Sequence, residues 1–318
     1  MEQSNIRIIY IFIDLILPLM IGYLLHQKKW MSMETCNMLL KVNIRVVATI
    51  LALGSFWLMD IGADFLIIPI YGIVVCLIPG FLSYPLTKHI KNPRSEGAFL
   101  LTGYLSNIGT LIGLCGFVLY GEMGFAYVQA VAIFQNVFTL LVCIPMAGYY
   151  HQLSRSRSAN IHFRPQWRDI LVSWNQLALI GVIIGFFLSL FHVPRPDIFS
   201  PVFDSLVHIG AWIGMLPIGF LIKFSSLKIY LREAIMMLPI KFIILPFMAY
   251  LVFFWISDNK MFVNTMTLIS AAPAAINSIA ISQLYKLNTN ISTAIFMVTT
   301  AIFFVVVFPV FYLFVYNG

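Results

Sequence analysis

Apolar runs of about 20 residues follow one another along the whole chain, each long enough for an α-helix rising ~1.5 Å per residue to cross a ~30 Å hydrocarbon core. Hydrophobic residues make up 61% of the sequence and charged residues 10%, far outside the range of water-soluble domains. The runs lack the strict alternation of a membrane β-barrel, so an all-α polytopic membrane protein is expected. Ten spans are expected, at about residues 6–26, 36–58, 65–87, 98–120, 124–149, 170–192, 203–222, 234–256, 263–285 and 291–316. Little chain remains for a soluble domain. The first span is full length with no small-residue cleavage site behind it, which points to a retained helix rather than a signal peptide.

The formal charge of +7 gains meaning when sorted by loop, because Lys and Arg of short loops stay on the cytoplasmic side. One set of alternate loops holds Lys28, Lys29, Lys88, Lys91, Arg94, Arg155, Arg157, Arg164, Arg168, Lys223, Lys228, Arg232 and Lys286, while the other face holds Arg7, Arg195 and Lys260. This asymmetry puts both termini outside the cytoplasm of a cell (plasma) membrane. The basic balance therefore reports topology, and the lipid bilayer, not nucleic acid, is the partner it implies. Cys36, Cys76, Cys115 and Cys143 show no C-x-x-C or Cys/His spacing and read as packing residues, with no disulfide, metal or cofactor implied. The polar, basic stretch "HQLSRSRSANIHFRPQWRD" at 151–169 is the one linker, dividing the chain into segments 1–150 and 170–318.

The two segments answer each other. "SNIGTLIGLCGFVLYG" precedes a span ending in "CIPMAGYY", and "TLISAAPAAINSIAISQLY" precedes one containing "VFPVFYLF"; Tyr120 matches Tyr285 at an offset of 165 and Pro145 matches Pro309 at 164. "IIPIYGIVVCLIPGF" is matched by "MLPIKFIILPF". Five spans per segment is an odd number, so the second copy enters the membrane from the opposite side, as in the inverted repeats of secondary transporters. Such folds place the substrate near the midplane, where corresponding helices are interrupted. The fourth span is interrupted by Ser106, Asn107 and Gly109, and the ninth by Pro273 with Asn277 and Ser278 following. Proline removes an amide donor and glycine permits unwinding, and irregular backbone at that depth has to be buried in protein or line a wet cavity. Either interruption alone reads first as helix packing, Gly109 with Gly113 making a small-xxx-small face; two at matched positions favour a binding site.

These residues resemble the auxin efflux carrier family, membrane transport proteins that include plant auxin exporters and bacterial organic-acid permeases and are distantly related to bile acid/sodium symporters. The similarity is carried in order by "SNIGTLIGL" with "VLYG", "LPIGFLIKF", "KFIILPF", "AAPAAINSIAISQLY" and "TTAIFFVVVFP". It implies a scaffold of spans one, two, six and seven and a transport domain of spans three to five and eight to ten. The broken fourth and ninth helices would cross beside the substrate, and the transport domain would move against the scaffold. The family pattern carries a proline after the Asn-containing break, and this chain has none around Gly113 and Cys115, so a bend is expected through Gly109, Gly113 and Gly116.

Charges inside spans are costly and mark function or pairing. Lys41 lies near a span end and can snorkel; Lys241, ~10 Å deep, can partly do so and is a secondary candidate. Arg45, ~14 Å deep, is expected to be the main positive charge of the site, with Asp14, ~12 Å from the other face, as its pairing or coupling partner. Substrate contacts are expected from Ser106, Asn107, Gly109, Thr110, Pro273, Ala274, Asn277, Ser278 and Arg45, with Gln135 and Asn136 as cavity-lining candidates. The function expected is a secondary carrier for a small organic anion, such as a carboxylate. A sodium-coupled symporter is the alternative within transport, a membrane sensor or scaffold the alternative outside it, and a homodimer is left open. There is no HExxH, paired intramembrane Asp or Ser/His pairing at depth to indicate an enzyme.

Overall fold

The computed structural model describes residues 12–59, 63–155, 177–222 and 224–316. Both chain ends and most of the stretch expected to be the linker lie outside the described residues, and with them the expected sides of the termini. Among the described residues every regular element is helical, and the extended pairing is confined to one antiparallel bridge between Ser106 and Ala274.

Six described helices are long and apolar enough to cross a membrane: Met33–Leu58, Ile67–His89, Ile108–Leu153, Phe199–Phe220, Leu227–Ile256 and Thr289–Tyr316. Shorter apolar helices cover Ile13–Gln27 and Leu177–Leu190. Ten spans are expected from the sequence, and two further features of the described helices bear on the difference. The 46-residue stretch Ile108–Leu153 leaves helical geometry at Gly121, whose φ of 66° and ψ of −155° belong to a region open essentially only to glycine. The helices Pro93–Tyr104, Lys260–Ser270 and Ile276–Leu284 have 12, 11 and 9 residues, each too short to span alone.

Several long helices contain widened, π-helical turns, and four of these turns share a local cause. The turns Phe12–Ile16, Thr139–Cys143, Ile240–Ile244 and Phe303–Val307 are each followed two residues on by a proline: Pro18, Pro145, Pro246 and Pro309. Proline cannot donate to the carbonyl four residues back and its ring crowds that carbonyl, which in each case lies inside the widened turn. The bond then shifts by one residue, as where the Ile144 amide donates to Thr139 O and the Leu245 amide to Ile240 O. The turns at Asn43–Val47, Ile108–Ile112 and Tyr312–Tyr316 have no such proline.

The chain forms two compact units. One comprises Met1–Ile68, Gly109–Ala130 and Val172–Ile222; the other comprises Pro69–Ile108, Val131–Leu171 and Lys223–Gly318. In the first unit, small residues let helix backbones touch. A Cβ added at Gly181 or Gly185 would overlap the carbonyls of Thr49 or Leu53, a close approach that lipid-embedded helices need because hydrophobicity alone does not associate them. In the second unit, Tyr71 donates to Met266 O at 2.7 Å and packs edge-on against Phe253, which packs edge-on against Phe262. Three of its helices start at side-chain caps: Asn92 accepts from the Arg94 amide, Asn259 from the Phe262 amide and Asn288 from the Asn290 amide. All four cysteines are buried and unbridged.

Candidate functional site

Two helices of the second unit stop short and meet through their non-helical ends. The helix Pro93–Tyr104 ends at Leu105, and Lys260–Ser270 is separated from Ile276–Leu284 by the extended residues around Pro273 and Ala274. The Asn107 amide donates to Pro273 O at 2.8 Å and the Ala275 amide to Leu105 O at 3.0 Å, flanking the Ser106 to Ala274 bridge. Ser106, Asn107, Pro273 and Ala274 are all buried, so protein, not lipid, surrounds this irregular backbone.

Neighbouring side chains complete its hydrogen bonding. Gln135 Nε2 donates to Ser106 O at 2.8 Å, and Thr299 Oγ1 accepts from the Ala274 amide at 3.2 Å. Lys241, fully buried, directs its ammonium at three oxygens of the break: Ser106 Oγ at 2.7 Å, Gly103 O at 2.8 Å and Leu105 O at 3.4 Å. An ammonium has three donors and no acceptor, so these contacts use its full capacity. The widened turn Ile240–Ile244 carries Lys241 to this position, and the carbonyls it meets end the helix Pro93–Tyr104, where the helix dipole favours a cation. Among the described residues, ion pairs join Asp14 or Asp204 to His208 and Glu122 to Arg195; none includes Lys241. Among the described residues, the contacts of the Lys241 ammonium are thus to backbone and hydroxyl oxygens. One polar group there is unmatched: Asn107, 5% exposed, has an Nδ2 without a hydrogen-bond partner.

The remaining candidates divide. Ser278 is buried and donates to Ala275 O at 2.6 Å, whereas Asn277 is exposed. Gln135 braces the break through its amide rather than lining a cavity, and Asn136 is exposed. Lys241, a secondary candidate able in part to reach the membrane surface, turns inward, because three oxygens at the break solvate it as water would. Of the glycines of the expected bend, Gly109, Gly113 and Gly116, the first lies in the widened turn Ile108–Ile112, directly after the break at Leu105–Asn107. The other two lie inside the helix Gly113–Phe138, where an added Cβ would press on Gln129 and Val128, so their smallness serves packing.

Gly109, Thr110, Arg45 and Asp14 belong to the first unit. Gln129 Nε2 donates to Gly109 O at 2.7 Å, and Thr110 is half-buried. Arg45 is half-buried on the turn Asn43–Val47, its carbonyl accepting from Thr49 Oγ1 at 2.7 Å. Both oxygens of the buried Asp14 carboxylate are engaged by residues that the sequence reading does not single out: His208 Nδ1 at 2.5 Å from Oδ2 and Trp212 Nε1 at 3.0 Å from Oδ1. Asp204 stands 3.8 Å from the other imidazole nitrogen, and Phe117 packs edge-on against the ring. Asp204, His208 and Trp212 recur every fourth residue, one face of a helix, and that spacing is the sequence signal that reveals them. Gln129 and Thr299 carry no comparable signal, since single amides and hydroxyls in apolar helices most often only join helices.

An all-helical apolar chain whose irregular backbone is buried in protein defines a multi-pass membrane protein. Residues 8–312 match the family described as membrane transport protein, and the chain belongs to that family. It is also similar to an uncharacterized transporter of Methanocaldococcus jannaschii, 26% identical over 249 residues covering 74% of this chain and 75% of that protein.

Proposed function

We propose that the protein is a secondary carrier, not an enzyme, that moves a small organic anion, such as a carboxylate, across the cell membrane by alternating access. The observation that carries this is the buried meeting of two interrupted helices, where Lys241, without an ion-pair partner among the described residues, bonds Ser106, and the next residue, Asn107, carries an unpartnered amide donor. A carboxylate arriving there gains a hydrogen bond from Asn107 Nδ2 and the field of Lys241, and it leaves neither group less satisfied than before. Asn277 fits the same reading. An exposed amide on the helix following the break has no partner in hydrocarbon, so its surface belongs to an aqueous path.

The carrier reading includes ten spans in two inverted repeats, 1–150 and 170–318, with both termini outside the cytoplasm. Support comes from matched positions. Gln135 and Thr299, 164 residues apart, brace the interrupted strand of their own half, and the widened turns beginning at Thr139 and Phe303 share that offset. The scaffold of spans one, two, six and seven and the moving domain of the other six remain part of the proposal. Uptake of a panel of radiolabelled carboxylates into proteoliposomes tests it. Saturable uptake that Asn107→Ala weakens supports the site; a carrier active only on cations or neutral solutes overturns the anion assignment.

A further inference from the structure

Carriers with interrupted helices commonly hold a coupling ion where unwound carbonyls and helix C-termini converge, because those oxygens carry the negative end of the helix dipole. Gly103 O, Leu105 O and Ser106 Oγ form such a group here, two carbonyls and a hydroxyl at the C-terminus of Pro93–Tyr104. They are the hard oxygen donors that alkali cations take in place of water. In this protein all three already face one ammonium. Gln135 and the Ala275 amide take further lone pairs on Ser106 O and Leu105 O, so the oxygens at the break have little capacity left.

We propose that Lys241 is a tethered replacement for a coupling cation, its ammonium filling the oxygen cage at the break so that the carrier runs without sodium. This rests on the carrier function proposed above. A sodium ion among the same oxygens would lie against the fixed ammonium charge, and no carboxylate among the ion pairs of the described residues offsets that repulsion. A fixed cation also spares the protein the ordering of a free one, so the oxygens ending the helix Pro93–Tyr104 stay satisfied whether or not ions are present. Removing the ammonium while leaving space converts the cage into a site for a small monovalent cation.

The test is thermal unfolding of the purified full chain in detergent, in sodium chloride against choline chloride at equal ionic strength. Wild type is expected to melt at the same temperature in both. Lys241→Ala is expected to melt lower in choline and to recover saturably with sodium or methylammonium chloride. Lys241→Met, which fills the space with an apolar chain, is expected to be destabilised without recovery. Saturable sodium stabilisation of wild type overturns the proposal, as does a folded Lys241→Ala that shows no cation-specific recovery. If Lys241→Ala yields no folded protein, wild type alone decides, indifference to sodium supporting the proposal and dependence on it overturning it. The readout needs no substrate, so a failure of the anion panel leaves this result standing and separates the two ideas.

Discussion

Lys241 and Asp14 are both charged residues buried in apolar helices, one in each compact unit, and the protein satisfies them in opposite ways. Asp14 is met by side chains: a histidine on one oxygen and an indole on the other, with the histidine in turn facing Asp204. Lys241 is met by backbone carbonyls and one serine hydroxyl. Side chains that can carry the opposite charge cancel a field locally, whereas dipoles stabilise a charge without cancelling it. The first arrangement closes a structural joint. The second leaves Lys241 without an ion-pair partner among the described residues, which supports the anion carrier proposed above.

The largest effect that sharpens this contrast is expected from Lys241→Met. Removing the ammonium leaves buried oxygens short of donors, each costing roughly 1–3 kcal/mol, and also removes the field at the break. Stability should fall by about 3 kcal/mol or more and anion uptake by at least about a hundredfold. Uptake near wild-type level from folded Lys241→Met would show that the charge belongs to folding alone, and the contrast with Asp14 would collapse.

Next comes the joint itself. Asp14→Asn keeps an acceptor for Trp212 but loses the charge facing His208, an expected cost of about 1–2 kcal/mol. His208→Gln should cost a similar amount, and the double variant little more than either. That leaves a coupling energy of about 1–2 kcal/mol in a double-mutant cycle read by thermal or denaturant unfolding. Additive losses would mean that the two side chains are neighbours without being partners.

The contrast is partly legible in the sequence, and the reasons differ by residue. The positions of four widened turns follow from local chemistry, since each precedes a proline that cannot donate within it. The interruptions at Ser106 and Pro273 are visible because hydrocarbon offers polar groups and freed carbonyls no hydrogen bonds, so such residues in an apolar run require protein or water around them. Depth counted along its own helix places Lys241 below Arg45 as a candidate, and that count carries no information on what the ammonium meets. The acceptors of its ammonium lie 135–138 residues away in sequence, and no local pattern reports such a contact. The pairing of Asp14 is similarly non-local, although the four-residue spacing of Asp204, His208 and Trp212 marks the face that receives it.

A smaller effect, confined to transport, is expected from Asn107. Its backbone amide joins the two interrupted segments, but its side-chain Nδ2 makes no bond, so Asn107→Ala forfeits nothing on that donor. Stability should stay within about 1 kcal/mol of wild type. Anion uptake should fall by about tenfold, the worth of one hydrogen bond to a charged acceptor. The reverse pattern, destabilisation with unchanged uptake, would make the amide a packing group and weaken the case for a ligand at the break.

The smallest expected effect is that of Arg45→Lys, and it bears on whether the protein has one functional cation or two. Asp14 obtains its hydrogen bonds from His208 and Trp212, so the fold does not need Arg45 to hold that carboxylate. Lysine keeps the charge and much of the length of arginine and loses the planar fork that grips a carboxylate with two parallel bonds. At a half-buried position the folded state should tolerate the exchange within about 0.5 kcal/mol. If Arg45 adds a bidentate contact during the transport cycle, the KM for the anion should rise severalfold, by up to about tenfold, with maximal rate little changed. An unchanged KM would leave Lys241 as the cation that governs transport and Arg45 as a residue of the membrane-spanning framework. A loss of stability above about 1 kcal/mol would instead make the arginine fork chiefly a structural group, and the division between a closed joint and an open field would need a third member.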